Sequence, residues 1–121
     1  MPSVFEATAG AAIGVGSDQT GSVTQATNKG TAVTLNKVAG VVTMNNAALA
    51  AAAEVSFTVT NSECTASDVV IVNHASAGPA GSYLVQANTI AAGSFKITVS
   101  NVSGGSLSEA IVLNYQIIKA G

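Results

Sequence analysis

Three side-chain types that can share protons fall close together in the chain: Cys64, a nucleophile; Asp68, an acid; and His74, a base. A cysteine hydrolase needs such a set in mutual contact. The spacing works against it. If Asp68 and His74 lie on one strand they stand roughly 20 Å apart, at about 3.3 Å per residue. The expectation is therefore structural: Cys64 fills apolar space, Asp68 shapes a turn and His74 closes a strand. One cysteine cannot form an intrachain disulfide, and one histidine with one cysteine does not make a protein zinc site.

The carboxylates Glu54, Glu63, Asp68 and Glu109 are candidates for the paired acid and base of glycoside cleavage. Each lies at the start or end of an expected strand, where a carboxylate faces water. There is no tryptophan to build a sugar platform. Gly104-Gly105 and Ala77-Gly78-Pro79-Ala80-Gly81 lack the lysine of a phosphate loop and the strand-to-helix setting of a dinucleotide fingerprint, so both are expected as turns. Asn101-Val102-Ser103 fits a glycosylation sequon, which needs a secretory route to be used. No catalytic, cofactor-binding or metal residue is assigned, no cofactor is expected, and the chain is not expected to be an enzyme.

The elements that carry these residues read as strands. Val55-Ser56-Phe57-Thr58-Val59-Thr60 alternates apolar and hydroxyl side chains, and Phe95-Lys96-Ile97-Thr98-Val99-Ser100 repeats the pattern. Ile111, Leu113, Tyr115 and Ile117 share one parity, with Asn114 and Gln116 on the other. A period of two puts each set on its own face of a sheet. Further strands are expected at 21–26, 31–36, 41–45, 69–73 and 82–88, separated by Asn-Lys-Gly, Ala-Gly, Ala-Gly-Pro-Ala-Gly and Ser-Gly-Gly turns. The result is an all-β chain, an antiparallel β-sandwich of jelly-roll or immunoglobulin-like type with about eight strands. Val69-Val70-Ile71-Val72 is apolar on both parities and is expected as a central strand covered on both faces. Asn46 to Ala53 is alanine-rich but too short to hold a helix alone, so a single turn or a loop is expected there.

Length and charge narrow the function classes. The chain has 121 residues, enough for one core, of which 8% are charged and 48% hydrophobic. Four lysines, no arginine and a net charge of −2 leave no cationic stripe for a phosphate backbone, so no nucleic-acid partner is expected. Residues 38–53 fall short of a membrane span, Met1 to Glu6 does not read as a signal peptide, and the site of synthesis is expected to be the cytoplasm. Residues 1–20, mostly small and hydroxyl side chains, read as a flexible N-terminal arm, and residues 21–121 as the sandwich domain. A surface this poor in charge favours association, so partners are expected to cover it. The arm from Pro2 to Thr20 and the turn Ala77 to Gly81 are the expected contact regions.

The run Gly21-Ser22-Val23-Thr24-Gln25-Ala26-Thr27-Asn28-Lys29-Gly30-Thr31-Ala32-Val33-Thr34-Leu35-Asn36 resembles the opening of a family of small structural proteins from tailed-bacteriophage and prophage genomes. Asn45-Asn46-Ala47-Ala48-Leu49-Ala50 with Val55 to Asn61, Asp68 to Ser76, and Gly104 to Tyr115 are similar to its later parts, so the likeness spans residues 21–119. It implies a virion structural protein, a head decoration or cement protein held on the outer capsid surface. The major capsid protein would be its partner and the exterior of the virion its location, with no membrane involved. A homotrimer at local threefold positions is the leading expectation, and a dimer bridging capsomers the second. The alternative is a tail-fibre or surface module that binds a host receptor or carbohydrate.

Overall fold

The computed structural model describes residues 15–120. After a 3-10 turn at Ser17–Gln19 come eight strands: β1 (Thr20–Thr24), β2 (Val33–Thr34), β3 (Ala39–Thr43), β4 (Glu54–Thr60), β5 (Val69–Ser76), β6 (Tyr83–Ala91), β7 (Ser94–Asn101) and β8 (Val112–Ile118). They form two four-stranded sheets, sheet A in the order β1-β3-β8-β5 and sheet B in the order β2-β4-β7-β6. The β-sandwich of eight strands is as the alternation predicts. Residues 46–53 form a loop, tied by a bridge between Leu49 and Leu107. Most of the expected arm, residues 1–14, lies outside the described residues, and Thr20 already belongs to β1.

Two strand pairs, β1 with β3 and β2 with β4, run parallel, and the other four run antiparallel. The expectation of a wholly antiparallel sandwich is thus corrected: sheet A is mixed, and so is sheet B. The cause is the path of the first four strands, which alternate between the sheets. A strand of the opposite sheet serves as the crossover that a parallel pair requires. Among the Ala-Gly pairs, Ala92-Gly93 is the hairpin turn between β6 and β7, with Gly93 at φ +84°, whereas Ala39-Gly40 lies within β3.

The inward rows are those the parity marks. Phe57, Val59, Phe95, Ile97 and Val99 of sheet B meet Val42, Leu113, Tyr115 and Ile117 of sheet A, all buried. At about 25 cal/mol per Å² of apolar surface removed from water, this layer is the main driving force of the fold. Tyr115 crosses it. Its ring packs edge-on against Phe95 at 5.2 Å, and its hydroxyl donates to the Lys37 carbonyl at 2.9 Å while accepting from Asn61 Nδ2 at 3.1 Å. Gly40 makes that approach possible, since a Cβ there would lie 2.8 Å from Tyr115 Cε2.

Buried amides fasten the loops to this core. Gln25 donates to the carbonyls of Lys29 and Thr31 and accepts from the Asn45 N–H. Asn101 donates to the carbonyls of Leu49 and Gly105, both at 2.8 Å, and accepts from the Ser103 N–H and hydroxyl. Lys29 is itself buried, its ammonium donating to the carbonyls of Asn45 and Glu109. Burial lowers its pKa, with the Glu109 charge opposing.

The placing of the apolar run is also corrected. Val69-Val70-Ile71-Val72 is not central: β5 is an edge strand of sheet A, with Val70 and Val72 turned inward and Val69 and Ile71 outward, 53% and 49% exposed. An apolar side chain on both parities means both faces are apolar, not that both are covered. All eight strands are used in the two layers, so no element of the described chain remains to lie over the outer row.

Candidate functional site

The fold separates the residues whose chemistry the sequence raises. Cys64 is buried in the turn before β5, and its thiol points at the carbonyls of Thr65 and Ser94. Burial, and then the Asp68 charge, push that thiol above its ordinary pKa, the opposite of what a nucleophile requires. Asp68 sits in the same turn, accepting from the Thr65 N–H at 2.9 Å and from the Lys119 ammonium at 2.6 Å. That ammonium, opposed by desolvation, holds the carboxyl down at about 2. His74 lies six residues farther along β5. Its Nε2 faces the carbonyls of Ser76 and Ala77, so that nitrogen carries the proton and donates, and the ring packs edge-on against Tyr83 at 5.6 Å.

The carboxylates also disperse. Glu54 is exposed at the start of β4, and Glu109 accepts from the Tyr83 hydroxyl at 2.8 Å. Glu63 shares the Asp68 turn, but it is its main-chain carbonyl that accepts from Lys119. The Tyr83 phenol is pushed up to about 12 by burial and by Glu109. No group of three or more His, Cys, Asp or Glu side chains converges on a metal position among the described residues. No helix among them is long and apolar enough to cross a membrane.

What the fold does assemble is surface. On the outer face of sheet A one row across the strands reads Thr20, Ala39, Gln116 and Ile71, and the next reads Ser22, Val41, Asn114 and Asn73. No ionisable side chain belongs to either row. An open depression of about 410 Å³ lies over them, bounded by Val41, Ile71 and Ile118. Among the described residues, the amides of Asn73, Asn114 and Gln116 make no side-chain hydrogen bond.

The outer face of sheet B is built otherwise. It carries Glu54 and Lys96, and three of its polar side chains bond one another: the Ser56 and Thr98 hydroxyls are 2.7 Å apart, and Asn88 Nδ2 donates to Thr98 Oγ1 at 2.8 Å. At one end of this face stand Leu84, 60% exposed, and Val102, 51% exposed. The register places them diagonally, since Leu84 opposes Ser100 and the Val102 N–H bonds the Ser82 carbonyl, within reach of side-chain contact. The exposed turn Ala77 to Gly81, expected as a contact region, runs directly into Ser82 and borders this pair. Sequence reasoning missed Leu84 and Val102. The signal was present, because Leu84 shares its parity with the outward Gln86 and Val102 shares its own with Ser100. Compared with known protein families, with curated proteins and with solved structures, the chain matches none.

Proposed function

We propose that this protein is a structural component of a phage particle, a head decoration protein that attaches to the outer capsid surface by protein-protein contacts and reinforces the shell. The observation that carries this reading is the presence of two apolar patches on opposite faces of one small sandwich: Val41, Val69 and Ile71 on sheet A, and Leu84 with Val102 on sheet B. A chain with one uncovered patch is suited to one neighbour. A chain with two separated patches is suited to simultaneous contact with two, as in a lattice. The phage setting is the one expected from the likeness read in residues 21–119, and it is part of the proposal. The major capsid protein is then the partner, synthesis is in the host cytoplasm, and no catalytic step is involved. Reinforcement follows from mass action, because a ligand that binds only the assembled shell opposes its disruption, and repetition over the lattice multiplies a weak site.

The Leu84 and Val102 patch, flanked by the exposed 77–81 turn, is the surface offered to the shell. The experiment compares particles with and without the protein for DNA release on heating, together with particles carrying Leu84→Asp. Release at a lower temperature without the protein, and reduced occupancy of Leu84→Asp, are expected. Identical release temperatures, absence from purified heads, or only a handful of copies per particle at the tail would overturn the reading.

A further inference from the structure

We propose that the outer face of sheet A is a self-association surface, on which two copies of this chain pack face to face about a two-fold axis. The proposal goes beyond decoration and does not depend on it, since it concerns the isolated chain. It selects the dimer over the trimer.

Three properties of the face point to a second copy as the occupant. The first is neutrality. A two-fold interface brings a patch against itself, so any charge near the axis meets its own like. The rows through Gln116 and Asn114 contain no ionisable group on any of the four strands. A strongly acidic or basic partner would find nothing there to pair with or to steer it.

The second is the type of polar group. A side-chain amide holds both donors and an acceptor, so a cluster of amides is complementary to an identical cluster, as a cluster of carboxylates or ammoniums is not. Asn73 and Asn114 are direct cross-strand neighbours and Gln116 is next along β8 on the same face. All three groups are unpaired within the described chain, whereas on the outer face of sheet B Ser56, Thr98 and Asn88 bond one another and Gln86 is the amide left without a side-chain bond.

The third is size. Four strands about 4.8 Å apart and some six residues at about 3.3 Å give a face of roughly 400 Å² in projection. Allowing for side-chain relief, two copies would remove about 1,000 Å² from water, near the lower limit for a specific complex. An interface of this size is that of a weak, transient dimer, with a dissociation constant on the order of micromolar or above. The depression over the face provides the space in which side chains of the second copy seat.

The test is sedimentation velocity of the full chain from about 1 to about 1,000 µM, a range that brackets such a constant. A concentration-dependent shift from monomer to dimer is expected. Asn114→Lys and Asn114→Glu place a charge at the centre of the face, on an exposed side chain with no bond to lose. Each should raise the dissociation constant at least about tenfold. An equimolar mixture of the two should recover association, since opposite charges then meet across the axis. Near-ultraviolet circular dichroism of each variant checks that the fold is kept. A chain monomeric throughout, a trimer, an Asn114→Lys variant that associates as the parent does, or a mixture that stays monomeric would each overturn the proposal. Leu84→Asp should leave the dimer unchanged, which separates this surface from the one offered to the shell.

Discussion

Replacing Asn101 by aspartate changes one NH2 to an oxygen and almost nothing in shape, yet it should be among the most damaging single substitutions in this chain. Both acceptors of the Asn101 amide are main-chain carbonyls, of Leu49 and Gly105, which cannot reverse their role and donate. The variant therefore loses two buried hydrogen bonds and sets an oxygen against two others. The Leu49 carbonyl keeps the Leu107 N–H and the Gly105 carbonyl keeps the Ser103 hydroxyl, so neither is stranded. At about 1 kcal/mol for each bond lost, with a further ~1–3 kcal/mol for a buried carboxylate oxygen set against two carbonyl oxygens, the cost at neutral pH is about 3–5 kcal/mol. That is a large part of the ~5–15 kcal/mol that holds a typical domain together. The oxygen that accepts from Ser103 is kept, so the loss comes from the donor side alone.

The pH dependence has a definite sign. Burial against two carbonyls disfavours the charged carboxylate, so its folded-state pKa rises above the unfolded value of about 3.9. The folded variant then binds a proton more readily than the unfolded chain, and its deficit shrinks as pH falls. A protonated carboxyl can also donate to one of the two carbonyls. Urea unfolding of both proteins, followed by far-ultraviolet circular dichroism at pH 7 and pH 4, reads the difference directly. A deficit under about 1 kcal/mol at pH 7, or one equal at the two pH values, would refute the role assigned to this amide.

Three further outcomes are expected. The Asp68 carboxyl, held at about 2 by Lys119 against an ordinary 3.8, gives stability that is full above its unfolded pKa and lost as pH falls towards 2. Lys119 is half exposed and screened, so Lys119→Met should cost only about 1 kcal/mol at pH 7 and less once Asp68 is protonated, when only the bond to the Glu63 carbonyl is lost, as acid-unfolding curves will show. Gly40→Ala drives a methyl group into Leu35 and the Tyr115 ring and should cost about 1–3 kcal/mol in urea unfolding, whereas the same change at Gly104, where a Cβ meets nothing within 4 Å, should cost far less. The Cys64 thiol should react with a water-soluble disulfide reagent at least about 100-fold faster in urea than in the folded protein, since burial blocks access and raises its pKa.

The parity of side chains carried most of the fold. Phe57 and Val59, Phe95 and Ile97, and Leu113 and Tyr115 point inward as alternation requires, because a strand has only two faces and one of them is dry. Alternation is silent about neighbours. It assigns a residue to a face but not a strand to an edge, which is why the apolar run at Val69–Val72 read as central and proved peripheral. It is equally silent about direction, so the two parallel pairs could not be seen. The buried polar residues were hidden for another reason. Lys29 lies in an Asn-Lys-Gly turn that reads as solvated, and only the chain crossing from 45 and 109 surrounds it with carbonyls.

The two outer faces resolve the puzzle posed by a chain with so little charge. Away from its Leu84 end, sheet B meets water with the mutually bonded Ser56, Thr98 and Asn88 and with Lys96 and Glu54 among them. Sheet A has the same backbone architecture but leaves amides without side-chain partners beside exposed Val69 and Ile71. If low charge were only a drift in composition, both faces should show it alike. Its concentration on one face, opposite a second, smaller apolar patch at the Leu84 end of the other, is what the proposed subunit with different neighbours on its two sides requires. A version of the chain with lysines at positions 22, 71 and 114 tests this at its root. If it stays folded, stays monomeric and still attaches to particles through the Leu84 end, sheet A serves the second copy alone. If attachment is lost as well, both faces belong to the shell contact.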